Sequence, residues 1–367
     1  MHASNSKNQF FAGGCIVTMR TELQERRNGE QEREYVEITL RILKTILDPP
    51  PKEFCVRLWN GTLWPEGSRG ATAIVLKHPG ALRNMLSPPS EVGLGEAYLR
   101  DDFDIEGDVE TVIRYAVRLQ DSVWTWVKKG AVVRDVARLP EASSGDEVGR
   151  RMASLAGERH SIDRDREAVT YHYDLPTEFY RLFLDTQMVY SCAYFHSDAE
   201  NLDAAQTHKL DLLCRKLRLV PGESMLDIGC GWGSLLIHAA REYGVDATGM
   251  TLSRPQAQWG NERIAQAGLS HRARIVVQDY RQVPCNMQYD ALVSVGMFEH
   301  VGARMLPQYF AIAFSLLPPG GRFLNHGISL GPPGDKKRKG RSFSDAYVFP
   351  DGELVPISTT LSVSAKP

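Results

Sequence analysis

The run YDALVSVGMFEHVG, residues 289–302, climbs through apolar residues and stops on Glu299 and His300. Ionisable groups at the end of a buried strand are costly unless paired or employed. A carboxylate there is a candidate for proton transfer or for steadying positive charge. Upstream, LDIGCGWG ends an apolar run on Asp227 and places Gly229, Gly231 and Gly233 before a helical pattern. Glycines in that position let the backbone turn tightly and approach a ligand closely. A dinucleotide site wants G-x-G-x-x-G and an acid about 20 positions on for a ribose. Here the third glycine comes one position early, and the next strand pattern ends in MTLS without an acid. The loop alone leaves nicotinamide and S-adenosylmethionine open, with both departures counting against nicotinamide.

These groups need a scaffold. SMLDIGCG, DATGMTLS, ARIVVQDY, YDALVSVG and RFLNHGIS read as strands, separated by helical segments such as SLLIHAAREY, PQAQWGNERIAQA and MLPQYFAIAFSLL. Strands alternating with helices predict an α/β fold with a parallel sheet covered on both faces. Ligands of such sheets bind at the strands' carboxyl ends, where Glu299 lies. In MTLSRPQ, Ser253 followed by Pro255 also reads simply as a strand end and a helix cap.

The first half differs. Residues 1–30 are polar and expected to be disordered. A helix is predicted over 35–47, and strands and helices mix from 54 to about 135, giving an α+β domain over 31–139. PEASSGDEVGRR opens a linker over 140–165, and 166–367 forms the second domain. The 367 residues, 43% hydrophobic and 24% charged, suit two domains with real cores. A net charge of −2 argues against whole-surface attraction to nucleic acid. No apolar run approaches the roughly 18 residues needed to span a bilayer, and the first thirty residues carry no secretion-signal pattern. Six scattered cysteines without a CxxC pair fit reduced thiols in a cytoplasmic protein better than disulfides or zinc, so no metal is expected.

HYDLPTEFYRLFLDTQMVYSCAYF (172–195), LDIGCGWG, MTLSRPQ, QDYR, SVGMFEHVG and YVFPDGEL, in this order, resemble the cyclopropane-fatty-acid synthase family, which includes the mycolic acid cyclopropane synthases. GLGEAYLRDDFDIEGD (93–108) further resembles the amino-terminal domain of the phospholipid-acting members. The resemblance implies a Rossmann-like methyltransferase that moves a methyl group from S-adenosylmethionine to an unsaturated acyl chain. It implies that Tyr190 and Ser191 close over the cofactor and that Gly229 and Gly231, with Asp227 and Gly233 in the same loop, bring backbone to it. Thr251, Leu252 and Gln256 would hold its ribose side and methionine end, and Tyr280, beside Gln278 and Asp279, its adenine. It also implies a bicarbonate base held by Cys192, Glu299, His326 and Ile328, a homodimer, and an enzyme that visits the inner membrane surface.

KKRKGR contributes Lys336, Lys337, Arg338, Lys339 and Arg341, a solvated loop or a contact for anionic lipid head groups worth about 1 kcal/mol per residue. Relatives of this kind have seven strands, the last two a hairpin, with a tyrosine near the bicarbonate. After RFLNHGIS only 38 residues remain, so the carboxyl-terminal strands are expected to be missing, one wall of the acyl pocket with them. The same resemblance accommodates a methylene- or methyl-branched product. A small-molecule methyltransferase and a non-catalytic cofactor-binding protein stay as alternatives.

Overall fold

The computed structural model describes residues 11–68, 70–117, 130–141, 151–284, 286–331 and 341–365. They fall into two units, Met1–Arg151 and Met152–Pro367.

In the first unit, helix α1 (Phe11–Ile46) buries Ile38, Ile42 and Leu43, an apolar stripe at helical spacing. The helix starts well inside the stretch whose composition suggests disorder. Once the amphipathic end at 38–47 packs, extending a helix backward is cheaper than nucleating one, and opposite charges four apart such as Arg26 and Glu30 support it. A small sheet follows: β1 (Cys55–Arg57), β2 (Leu63–Trp64), β3 (Ala73–Leu76) and β4 (Phe103–Glu106), in the order β2-β1-β3-β4. Helices α2 (Ala81–Leu86), α3 (Glu91–Leu99), α4 (109–117) and α5 (Gly130–Arg138) complete this α+β unit.

The second unit opens with residues that composition assigns to a linker. Yet Ala153 N–H donates to the Ala346 carbonyl at 2.9 Å, and Ala153 and His160 are buried. Glycine and serine content says nothing of such long-range bonds, so 152–165 belong to this unit. Then come α6 (Ile162–Tyr173), α7 (Thr177–Tyr180) and α8 (Leu202–Leu217). The α/β part runs β5 (Ser224–Ile228), α9 (Ser234–Glu242), β6 (Asp246–Thr251), α10 (Arg254–Gln266), β7 (Ala273–Val277), β8 (Ala291–Val295), α11 (Leu306–Ser315) and β9 (Arg322–His326). All pairings are parallel, in the order β7-β6-β5-β8-β9. Two short helices close the described chain, α12 (Phe343–Tyr347) and α13 (Ile357–Ser364). Among the described residues β9 is an edge strand, and Ile328, Leu330, Ile357 and Leu361 near the end of the chain are exposed.

Alternate residues feed opposite faces of the sheet. Met225, Ala247 and Val293 join the core under α8 and α9, whereas Leu226, Ile228, Met250 and Leu292 join the one under α11. The loop after β5 reverses onto the sheet because Gly229 sits at φ +86 and its N–H and that of Cys230 both donate to the Met250 carbonyl. Helix α10 approaches this loop so closely that a Cβ on Gly260 would lie 2.3 Å from Ile275 Cδ1 and 2.8 Å from the Trp232 carbonyl oxygen. Gly260→Ala is therefore expected to cost about 1–3 kcal/mol by overpacking. Thermal unfolding measures it, and a variant as stable as the parent would contradict the fit.

Candidate active site

A cavity of about 150 Å³ opens at the carboxyl ends of β5, β6, β7 and β8. Topology puts it there: β5 and β8 are neighbours whose connections leave in opposite directions along the sheet, which parts the loops above them. The turn before its mouth is held by Asp185, whose carboxylate accepts from the N–H groups of Val189 (2.7 Å) and Gln187 (3.1 Å). Tyr190 and Ser191 follow directly and line the cavity. From the glycine loop come Asp227, Gly229, Gly231 and Trp232. A Cβ on Gly231 would meet nothing within 4 Å, so room for a ligand lies there, whereas one on Gly229 would sit 2.7 Å from Met297 Cγ. Gly233 is outside the lining; at φ +82 it starts α9, and a Cβ there would press on Ile275 at 2.6 Å.

Thr251, Leu252 and Gln256 line the next wall. Thr251 Oγ1 donates to Gln256 Oε1 at 2.8 Å, and Ser253 caps α10 just ahead of Pro255. Gln278, Asp279 and Tyr280 line the third wall. Tyr280 stands edge-on to Tyr309 at 5.5 Å, and burial pushes its hydroxyl up to about 12. Arg281 clamps this corner: it bonds Asp279 Oδ2 at 2.6 Å, Asp165 Oδ2 at 2.9 Å and the His160 carbonyl at 2.8 Å.

Glu299, His326, Ile328 and Cys192 lie outside this lining. Glu299 Oε1 accepts from the Ile328 N–H at 2.6 Å, while its Oε2 is buried with no hydrogen-bond partner among the described residues. Burial raises the Glu299 carboxyl above the ordinary 4.5, and the Ile328 bond opposes the shift. The Ile328 amide thus holds Glu299, and its side chain is exposed. His326 ends β9 beside Val295, its Nδ1 buried and unpartnered among the described residues. Burial, then Lys209 and Lys216, lower its pKa, which keeps it neutral. Cys192 is exposed. Of the basic run, Lys336, Lys337, Arg338 and Lys339 lie outside the described residues; Arg341 is turned onto its own chain, donating to Met152 Sδ at 3.0 Å and to the Ala153 carbonyl at 3.4 Å.

Two further cavity groups, Lys209 and His300, are given no role by the motifs. Lys209 lines it from α8, where Ala205, Leu210 and Leu213 occupy the same buried face; a lysine inside an apolar helical stripe was the available signal. His300 lines it too, pushed down to about 4 by burial, with Tyr173 Oη 3.5 Å from its Nε2. Elsewhere, His196, Glu200 and His208 cluster, but the two imidazoles stack at 4.1 Å and 17°, so their in-plane lone pairs do not converge on one point.

Known proteins match this arrangement. The family described as mycolic acid cyclopropane synthetase matches residues 160–366, and a domain of unknown function matches 41–128. A probable fatty acid methyltransferase of Pseudomonas putida is 39% identical over 306 residues, 83% of this chain and 71% of the relative. The cyclopropane-fatty-acyl-phospholipid synthase of Escherichia coli is 42% identical over 198 residues, 53% of this chain and 48% of the relative. The crystal structure of mycolic acid cyclopropane synthase CmaA1 complexed with SAH and CTAB superposes with a TM-score of 0.50 at 35% identity, over 54% of this chain and 72% of that one. The chain belongs to the mycolic acid cyclopropane synthetase family and carries its Rossmann-like, S-adenosylmethionine-dependent methyltransferase fold.

Proposed function

We propose that the protein transfers a methyl group from S-adenosylmethionine to the double bond of an unsaturated phospholipid acyl chain and closes a cyclopropane, with bicarbonate as base. The cavity at the strand ends carries this reading, because residues from the glycine loop, the β6 end and the QDYR segment line one continuous space. The residues fit the cofactor: open volume at Gly231, a Thr251–Gln256 pair on one wall and a buried Tyr280 on another. They also suit a small oxyanion near Glu299, where a neutral His326 can offer Nδ1–H and the Glu299 carboxylate can accept the O–H of bicarbonate. Cys192, Glu299 and His326 would hold that ion, with Ile328 holding Glu299 in place.

When bound, S-adenosylmethionine supplies an electrophilic methyl and bicarbonate a proton acceptor. The chain's own contribution is containment and charge. Met188, Val189, Leu210, Leu213 and Val301 give the cavity apolar walls that exclude water, which would otherwise quench positive charge on the acyl chain. Glu299 steadies that charge at the end of β8. Phe179, Leu182, Phe183, Tyr194 and Phe195, all exposed around the Tyr190 segment, support an apolar substrate presented at a lipid surface.

The test incubates purified protein with methyl-labelled S-adenosylmethionine, bicarbonate and vesicles of unsaturated phospholipid, then analyses the acyl chains. Label in a cyclopropane ring is expected. Label in a branched chain would keep methyl transfer and replace ring closure; cofactor binding without labelled lipid would overturn the reading.

A further inference from the structure

Lys209 has no task in the reaction just described. It sits on the buried face of α8, 5% exposed, and a lysine is almost never so buried without a partner or a purpose. Its Nζ donates to Ser191 Oγ at 2.7 Å. That bond is not needed to hold the segment, because Gln206 Nε2 already donates to the carbonyls of Val189 (3.2 Å) and Ser191 (2.9 Å).

Asp227 and Asp185 attract the ammonium, but among the described residues neither closes an ion pair with it. Asp185 is engaged by two backbone N–H groups, and Asp227 Oδ1 is buried without a hydrogen-bond partner among the described residues. Lys209 and Asp227 face the same cavity, one cation and one anion. Burial pushes the lysine down to about 8 and the aspartate up to about 7, as expected for opposite charges that desolvation penalises more than their mutual attraction repays. The complement of such a site is a ligand end that carries its own anion and cation, an α-amino acid zwitterion.

We propose that Lys209 recognises the α-carboxylate of the cofactor's amino-acid end, directly and through Ser191, with Asp227 facing the α-ammonium. Ser191 Oγ accepts from Lys209, so its own hydrogen is free to be donated to the carboxylate. The assignment rests on S-adenosylmethionine being the cofactor.

The experiment compares two ligands by calorimetry on the full chain. S-adenosylhomocysteine carries the amino-acid end; 5′-methylthioadenosine has the same nucleoside and sulfur without it. Lys209→Met is expected to weaken S-adenosylhomocysteine at least about tenfold and leave methylthioadenosine unchanged, with Lys209→Arg recovering part of the loss. Methylthioadenosine binding also shows that the variant is folded. Equal losses for both ligands would make Lys209 a structural prop and overturn the assignment, as would unchanged S-adenosylhomocysteine affinity. Parent protein that binds neither ligand would overturn the cofactor reading and this assignment with it.

Discussion

Glu299→Gln is expected to lower turnover about 10²–10³-fold, the usual cost of removing one preorganised charge-stabilising group, with cofactor affinity unchanged. The amide keeps the acceptor that Ile328 N–H needs, so the strand-end geometry survives. What disappears is a carboxyl oxygen buried without a partner among the described residues. Stability should move the other way. The folded Glu299 pKa is raised above 4.5, so the native state holds its proton more tightly than the unfolded chain. The stability this proton contributes is present below 4.5 and is lost as pH rises through the raised folded value. At neutral pH the glutamate is thus a liability that glutamine removes. The expected signature is a variant at least as stable as the parent and nearly inactive. Denaturant melts beside label transfer to lipid would show it; a stable variant with full activity would remove Glu299 from the chemistry.

Arg281→Met is the largest expected stability effect. The Arg281 side chain is 8% exposed and Asp279 1%, with Asp165 at 13%. Removing the guanidinium leaves Asp165 and Asp279 together with only the His160 imidazole, 3.4 Å from Asp165 Oδ1, beside them, and losing one partner of a buried pair costs about 3–5 kcal/mol. The surface pair Arg304–Glu158, at 65% and 74% exposure, is the contrast: exposed pairs are worth about 0–1 kcal/mol. Urea unfolding of Arg281→Met decides between these scales. A loss below about 1 kcal/mol would mean that solvent reaches the corner as it reaches the surface. Because Asp165 and Asp279 line the cavity, cofactor affinity should fall with stability, which separates this variant from Glu299→Gln.

The alternation of strands and helices after residue 220 is legible in the sequence because both faces of a parallel sheet are buried. Its strands therefore appear as short runs rich in apolar residues, and the observed β5 to β9 fall within those runs. The glycine loop is legible for a similarly local reason, since left-handed backbone at Gly229 and Gly233 admits few other residues. Capping of α10 by Ser253 is local as well.

Tertiary structure decided the rest, because the deciding contacts join residues far apart in the chain. Lys209 stands out in sequence only as a lysine within an apolar helical stripe; what it meets is decided when the fold sets Ser191 2.7 Å from its nitrogen. Arg281 meets Asp165 across 116 positions, and Arg164 meets Asp351 across 187. The amide of Ile328 reaches back 29 residues to Glu299, because β8 and β9 are neighbours whose ends lie together. Residues 152–165 read as linker for the same reason: their partners, such as Ala346, lie at the far end of the chain. Periodicity and turn chemistry are properties of neighbours in sequence, and they determined the elements; charge pairing and burial are properties of neighbours in space, and only the folded chain determined those.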